Sequence, residues 1–169
     1  MVFTQENRIL DHHQILQKIK RMAFEIYEHN FEEKQLVLAG IHENGYFLAQ
    51  RLAQELRAIS PLEVTLLEVR LHKTEPLTHD IAISPVLPSL TNTAVVLVDD
   101  VLNTGKTLAY TLRAFLDKDC KKLEIATLVN RHHTRYPISA TYTGYSLATT
   151  LREHIRVVLA EEEWNAYLL

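Results

Sequence analysis

Val95-Val96-Leu97-Val98-Asp99-Asp100-Val101-Leu102-Asn103-Thr104-Gly105-Lys106-Thr107 carries an apolar strand into two acids and then into a small-residue turn that opens a helix. Each part has a physical use. Residues 104–107 offer successive backbone N–H groups and two hydroxyls to an anion at a helix N-terminus, where aligned peptide dipoles favour negative charge. Gly105 lets the backbone come close. Two adjacent carboxylates at a strand end cannot themselves attract a phosphate, so Asp99 and Asp100 need another task. They suit vicinal hydroxyls as hydrogen-bond acceptors, or the water shell of Mg²⁺. The Gly-Lys-Thr triplet also suggests a nucleotide-binding P-loop, but that spacing requires a glycine five residues before Gly105, and Asp100 stands there. A plain strand, turn and capped helix is the ordinary alternative; the order of strand, acid pair and Thr-Gly-x-Thr turn is the one a phosphosugar site needs.

Working outward, Ile15, Ile19, Met22, Ala23, Ile26 and Tyr27 recur at helical spacing and predict an amphipathic helix over residues 11–30, with Lys18, Lys20, Arg21 and Glu25 toward water. Residues 36–41 read as a short buried parallel strand. Phe47, Leu48, Leu52, Ala53 and Leu56 describe a second helix that ends before Pro61. Residues 64–71 are rich in β-formers, after which Thr, Ser, His, Pro76, Pro85 and Pro88 make a long loop as far as Leu90. Residues 94–98 form a continuous apolar run typical of a central strand. Leu108, Ala109, Leu112 and Phe115 give the helix after it, and residues 123–129 the next strand. Alternating strands and helices imply an α/β fold with a parallel sheet covered on both faces and ligands at the carboxyl ends of its strands. Residues 140–145 and 155–159 are expected as short strands of an added antiparallel edge or hood.

The chain has 169 residues, 47% apolar and 23% charged, an ordinary composition for one domain over residues 1–169. At this size roughly 70% of the unfolded surface can be buried, so no disulfide or structural metal is needed. Cys120 is the lone cysteine and fits a reducing cytoplasm. Met1 to Leu10 carries Glu6, Asn7 and Arg8 where a signal peptide needs an apolar run, and no stretch reaches membrane-spanning length, so a cytoplasmic location is expected. A net charge of −3 argues against a dominant nucleic-acid surface.

The acid pair and Thr-Gly-x-Thr turn resemble the signature of the type I phosphoribosyltransferases, which bind phosphoribosyl pyrophosphate (PRPP). The resemblance implies that family's fold, a central parallel sheet flanked by helices with a small hood and an antiparallel edge. It implies that Asp99 and Asp100 hold the ribose hydroxyls, and Mg²⁺ indirectly through water. Asn103, Thr104, Gly105, Lys106 and Thr107 would cradle the 5′-phosphate. Ala39-Gly40-Ile41-His42-Glu43-Asn44-Gly45 stands where the family places its pyrophosphate loop, with Ile41, His42, Glu43, Asn44 and Gly45 as its members. Backbone amides from 41–45 suit a pyrophosphate at the start of a helix.

Residues 21–30, 45–53 and 126–133, with Pro137, Ile138, Ala140, Tyr142, Thr143 and Gly144, are most similar to the PyrR group of pyrimidine-operon attenuators and uracil phosphoribosyltransferases. A Gly-Tyr type base pocket of the purine branch is missing near Leu159-Ala160-Glu161. The implied reaction joins a nucleobase, with uracil expected, to PRPP and releases pyrophosphate, with Mg²⁺ as cofactor and a homodimer as the assembly. A purine acceptor, and a PyrR-like regulator that senses PRPP or a nucleotide, binds RNA or a protein partner and catalyses little, are the alternatives. Two departures stand out. Asn44 replaces the group's usual basic residue with Glu43 beside it, which weakens the grip on pyrophosphate, and the loop 71–90 is short for the group. Arg70, His72 and Lys73 are that loop's basic candidates, Arg70 as a catalytic one; Leu102 and Ile138 are the base-pocket candidates. Arg21, Arg131 and Arg135, with Lys20, His132 and His133, could face RNA, but an ordinary charged surface is the favoured reading. The pairs His12-His13 and His132-His133 point apart on regular backbone and do not suit one metal.

Overall fold

Asp11 starts the first helix by a reciprocal cap: its Oδ1 accepts from Gln14 N (2.8 Å), and Gln14 Oε1 accepts from Asp11 N (3.0 Å). The helix α1 (His12–His29) then buries Ile15, Ile19, Met22, Ala23 and Ile26, the predicted stripe. It ends at Asn30, whose Nδ2 donates back to the Ile26 carbonyl at 2.8 Å. The computed structural model describes residues 7–72, 74–159 and 162–169, so Met1 to Leu10 is seen only from Asn7, and Lys73, Ala160 and Glu161 lie outside the described residues.

Strands β2 (Gln35–Ile41), β3 (Glu63–Arg70), β5 (Ala94–Leu102), β6 (Lys122–Asn130) and β7 (Tyr142–Ser146) are joined in parallel, and β4 (Ala82–Ser84) closes one edge antiparallel to β3. The order across this six-stranded sheet is β4-β3-β2-β5-β6-β7. Its strands are apolar on both faces because each face has a cover. Along β2, Leu36 and Leu38 enter the core shared with α1 and α2 (Asn44–Ile59), while Val37, Ala39 and Ile41 enter the core shared with α3 (Lys106–Leu116). Each fully buried side chain of this kind contributes roughly 1.5–3 kcal/mol relative to exposure. The result is the α/β fold expected. Among the described residues no helix is long and apolar enough to cross a membrane.

Three local expectations are corrected. The connection 71–90 holds β4, which at three residues is too short to show a period, and its Ile81, Ile83 and Leu87 pack on the α3-side core. Residues 140–145 supply β7, which pairs parallel to β6 and extends the main sheet. The antiparallel hood is a separate sheet in the order β1-β9-β8, formed by β1 (Arg8–Leu10), β8 (Ile155–Val158) and β9 (Asn165–Leu168). Reciprocal bonds between His154 and Leu169 (2.7 and 2.8 Å) close its end. Ile155, Val157 and Ala166 drive it onto the core of α1 and α2.

Candidate active site

The acids lie inside β5, not at its end, because the pairing with β6 runs on through Asp99↔Thr127, Val101↔Val129 and Leu102↔Asn130. Each carboxylate accepts from the following amide, Asp99 Oδ1 from Asp100 N (3.0 Å) and Asp100 Oδ1 from Val101 N (2.8 Å). The chain then turns at residues 103–105. Gly105 caps α3 with φ +80°, and a Cβ there would stand 3.1 Å from Ile138 Cβ, so both backbone and space call for glycine. Thr104 Oγ1 accepts from Lys106 N (3.3 Å), while its carbonyl accepts from Arg135 N (2.8 Å) and Tyr136 N (3.1 Å). Residues 99–108 thus line a cavity of about 170 Å³ at the positive end of α3.

The second loop, between β2 and α2, meets the same strand. A Cβ on Gly45 would lie 2.7 Å from the Val98 carbonyl oxygen, and one on Gly40 2.6 Å from Tyr46 Cα, so the two glycines allow the loop to fold tightly against β5. Between them Glu43 adopts φ +70° and ψ −120°, a conformation that costs a side-chain-bearing residue on the order of 1–3 kcal/mol and persists only where its surroundings enforce it. Asn44 shows how they do. Its Nδ2 donates to Asp100 Oδ2 (2.9 Å) and to the Val157 carbonyl of the hood (2.8 Å), joining loop, acid pair and hood. Glu43, Asn44 and Asp100, with Phe47 and residues 155–159, line a further cavity of about 580 Å³.

His42, exposed in this loop, donates from its backbone N to Val69 O (2.8 Å), and its Nδ1 bonds Glu68 Oε1 (2.5 Å). Glu68 Oε2 accepts from Arg70 Nη2 (3.1 Å) and Nε (3.3 Å). The His42 hydrogen bond, opposed by desolvation and aided by Arg70, holds the Glu68 carboxyl below the usual carboxylate range. Arg70 is thereby joined to the loop between β2 and α2 through Glu68, an acid that the sequence motifs do not include. A signal existed: Glu68 is the one charge in the run Val64-Thr65-Leu66-Leu67-Glu68-Val69.

The remaining candidates scatter. Leu102 is 1% exposed and belongs to the α3-side core, whereas Ile138 lies against Gly105. Arg131 is 8% exposed and turned inward, donating to Thr149 Oγ1 (2.6 Å), Asn103 Oδ1 (3.5 Å) and Thr150 O (3.0 Å). It braces the turn at residues 103–105 from within and is not part of an exposed basic surface. Arg21 donates to the Thr143 and Gly144 carbonyls (2.9 Å each) and pairs with Glu25 (3.1 Å). The Arg135 side chain is exposed. His12 accepts from Trp164 N through Nδ1 (3.0 Å), and His133 Nε2 contacts Thr149 O (2.7 Å), so neither histidine pair forms a shared site. On the 71–90 connection, His72 and His79 stack at 4.5 Å and fold its tip back on itself.

A family model described as the phosphoribosyl transferase domain matches residues 5–162. The Bifunctional protein PyrR of Macrococcus caseolyticus is 36% identical over 159 residues, covering 90% of this chain and 91% of that protein. The protein of the same name from Pelotomaculum thermopropionicum is 37% identical over 163 residues, covering 91% and 89%. Among solved structures, the hypoxanthine phosphoribosyltransferase of Trypanosoma cruzi superposes with a TM-score of 0.77 at 17% identity, covering 96% of this chain and 95% of that one. That last likeness is one of fold.

Proposed function

The chain belongs to the phosphoribosyl transferase family, and from that premise we propose that it binds PRPP with Mg²⁺ and transfers the phosphoribosyl group to uracil, giving UMP and pyrophosphate. The observation that carries this reading is the convergence of two loops on one acid pair: the turn 103–107 follows Asp99 and Asp100 directly, and Asn44 of the second loop bonds Asp100.

In this reaction a ring nitrogen of the base displaces pyrophosphate at C1 of the ribose, so no protein nucleophile is required. The protein's share is positioning and charge stabilisation. Asp99 and Asp100 accept from the ribose hydroxyls and hold C1 between the two loops. Residues 103–107 anchor the 5′-phosphate at the helix terminus, and residues 41–45 receive the leaving pyrophosphate. Ile138, against Gly105, is the better placed of the two base-pocket candidates. The residues fit a hard cation: Asp100 Oδ1 and Oδ2 each accept one N–H and keep acceptor capacity for bound water, as an outer-shell magnesium site needs. Bound there, Mg²⁺ would neutralise charge on the pyrophosphate. Arg21 and Arg131 are occupied by internal partners and Arg135 is left alone outside, so RNA binding is not part of the reading; a homodimer is.

Incubating the pure protein with labelled PRPP, Mg²⁺ and each common base tests it, with turnover of uracil alone as the expected result. Consumption of hypoxanthine or guanine instead would replace uracil by a purine. A second reading is favoured by Glu43 and Asn44, which put a carboxylate and a neutral amide where the resemblance to the PyrR group implies a basic residue: a sensor that binds PRPP or a nucleoside monophosphate with little turnover. Calorimetric binding with no base converted would select it.

A further inference from the structure

The second loop, Ile41-His42-Glu43-Asn44-Gly45, holds a carboxylate and neither Lys nor Arg, although a diphosphate leaving group carries several negative charges. The nearest fixed cation by connectivity is Arg70, and one residue links it to the loop. Building on the phosphoribosyl-transfer reading, we infer that Glu68 is a positioning residue of the pyrophosphate subsite: it ties His42 to Arg70 and sets the Arg70 guanidinium beside the amides of residues 41–45, a loop with no Lys or Arg of its own.

The geometry supports each part. Glu68 reaches His42 with one oxygen and Arg70 with the other, so a single carboxylate fixes both at once (2.5 Å to His42 Nδ1; 3.1 Å to Arg70 Nη2). Its own side chain is 20% exposed against 61% for Arg70, which makes the acid the rooted member and the guanidinium the one that faces outward. The strand supplies the root: Val69 O accepts from His42 N, so β3 holds the loop through backbone and side chain together. Arg70 donates to Glu68 through Nε and Nη2, and the guanidinium retains Nη1 and further N–H groups for phosphate oxygens. An ionised Glu68 alone would repel a diphosphate. Its charge is offset by Arg70, so its contribution is to hold that cation in place.

The test separates the two halves of PRPP by calorimetric titration of the 169-residue chain with Mg²⁺-pyrophosphate and, separately, with ribose 5-phosphate. Glu68→Ala should weaken pyrophosphate about tenfold, the loss of one charge-assisted contact, and leave ribose 5-phosphate unchanged within about twofold. In steady state the same variant should raise KM for PRPP and leave KM for the base unchanged. Glu68→Gln, which keeps an acceptor for His42 Nδ1, should recover part of the loss. Should Glu68→Ala unfold the protein, Arg70→Gln probes the same link from its exposed end and should give the same selective loss. Unchanged or tighter pyrophosphate binding in the variants overturns the inference while ribose 5-phosphate binding still supports phosphoribosyl transfer. Failure of the wild-type protein to bind either ligand overturns both.

Discussion

The two loops that meet at Asp100 are built on opposite principles. The turn after β5 is fixed by backbone: Gly105 at φ +80°, a helix terminus behind it and the Thr104 carbonyl bracing residues 135 and 136. The loop after β2 is fixed by side chains that reach distant elements: His42 to Glu68 on β3, Asn44 to Asp100 on β5 and to Val157 on the hood. A backbone device tolerates little substitution and keeps its sequence signature. A side-chain device can exchange partners, and Asn44 spans two of them, an acid on β5 and a carbonyl on the hood.

The largest expected effect tests the shared acids. On the proposed reading, in which both acids anchor the ribose, replacing Asp99 and Asp100 together by Ala should lower kcat/KM with PRPP by about a thousandfold or more. A loss below tenfold in steady-state assays would move the sugar away from β5. Next comes the backbone device. Gly105→Ala forces a side chain into the left-handed region against Ile138, which should cost about 1–2 kcal/mol in urea denaturation and weaken ribose 5-phosphate more than pyrophosphate.

Asn44→Arg probes the side-chain device from the other direction. It adds a cation to the loop while giving up the Val157 bond, and should tighten product inhibition by pyrophosphate about fivefold with stability lowered by about 1 kcal/mol. No change in inhibition would mean that the loop does not face the leaving group. The smallest effect concerns acid. Because the folded-state pKa of Glu68 is depressed, its contribution is fully present above the unfolded value of about 4.3 and is lost as pH falls through the folded value. Stability of Glu68→Gln, followed by urea titration, should therefore fall less steeply than that of the wild type below about pH 4.5 and run parallel to it near neutrality.

What could be read from the sequence follows the same division. Strands buried on both faces, such as residues 36–41 and 94–98, and helices with a clean stripe, such as α1, announce themselves by composition and period. The hood does not: β1 and β9 pair Arg8 with Tyr167 across nearly the whole chain, and three or four residues carry no period. The direction of β7 depends on the path of residues 131–141, which propensity does not encode. Within the site, the acids and Gly105 were legible because neighbours in sequence make the device. Glu68 and Arg131 were not, since the first acts across 26 residues and the second, a charged residue by composition, is enclosed by residues 149 and 150.

The Asn44 amide has one further consequence. Both of its bonds leave from the same nitrogen, through two hydrogens held rigidly in one plane, so a rotation of the amide that opens one opens the other. A ligand that rotated the Asn44 amide would release β8 together with Asp100, and by linkage a second ligand that shifted β8 in that way would change the affinity of the first by the same factor. A fluorophore or exchangeable amide on the hood would thus read out occupancy of a site it never touches.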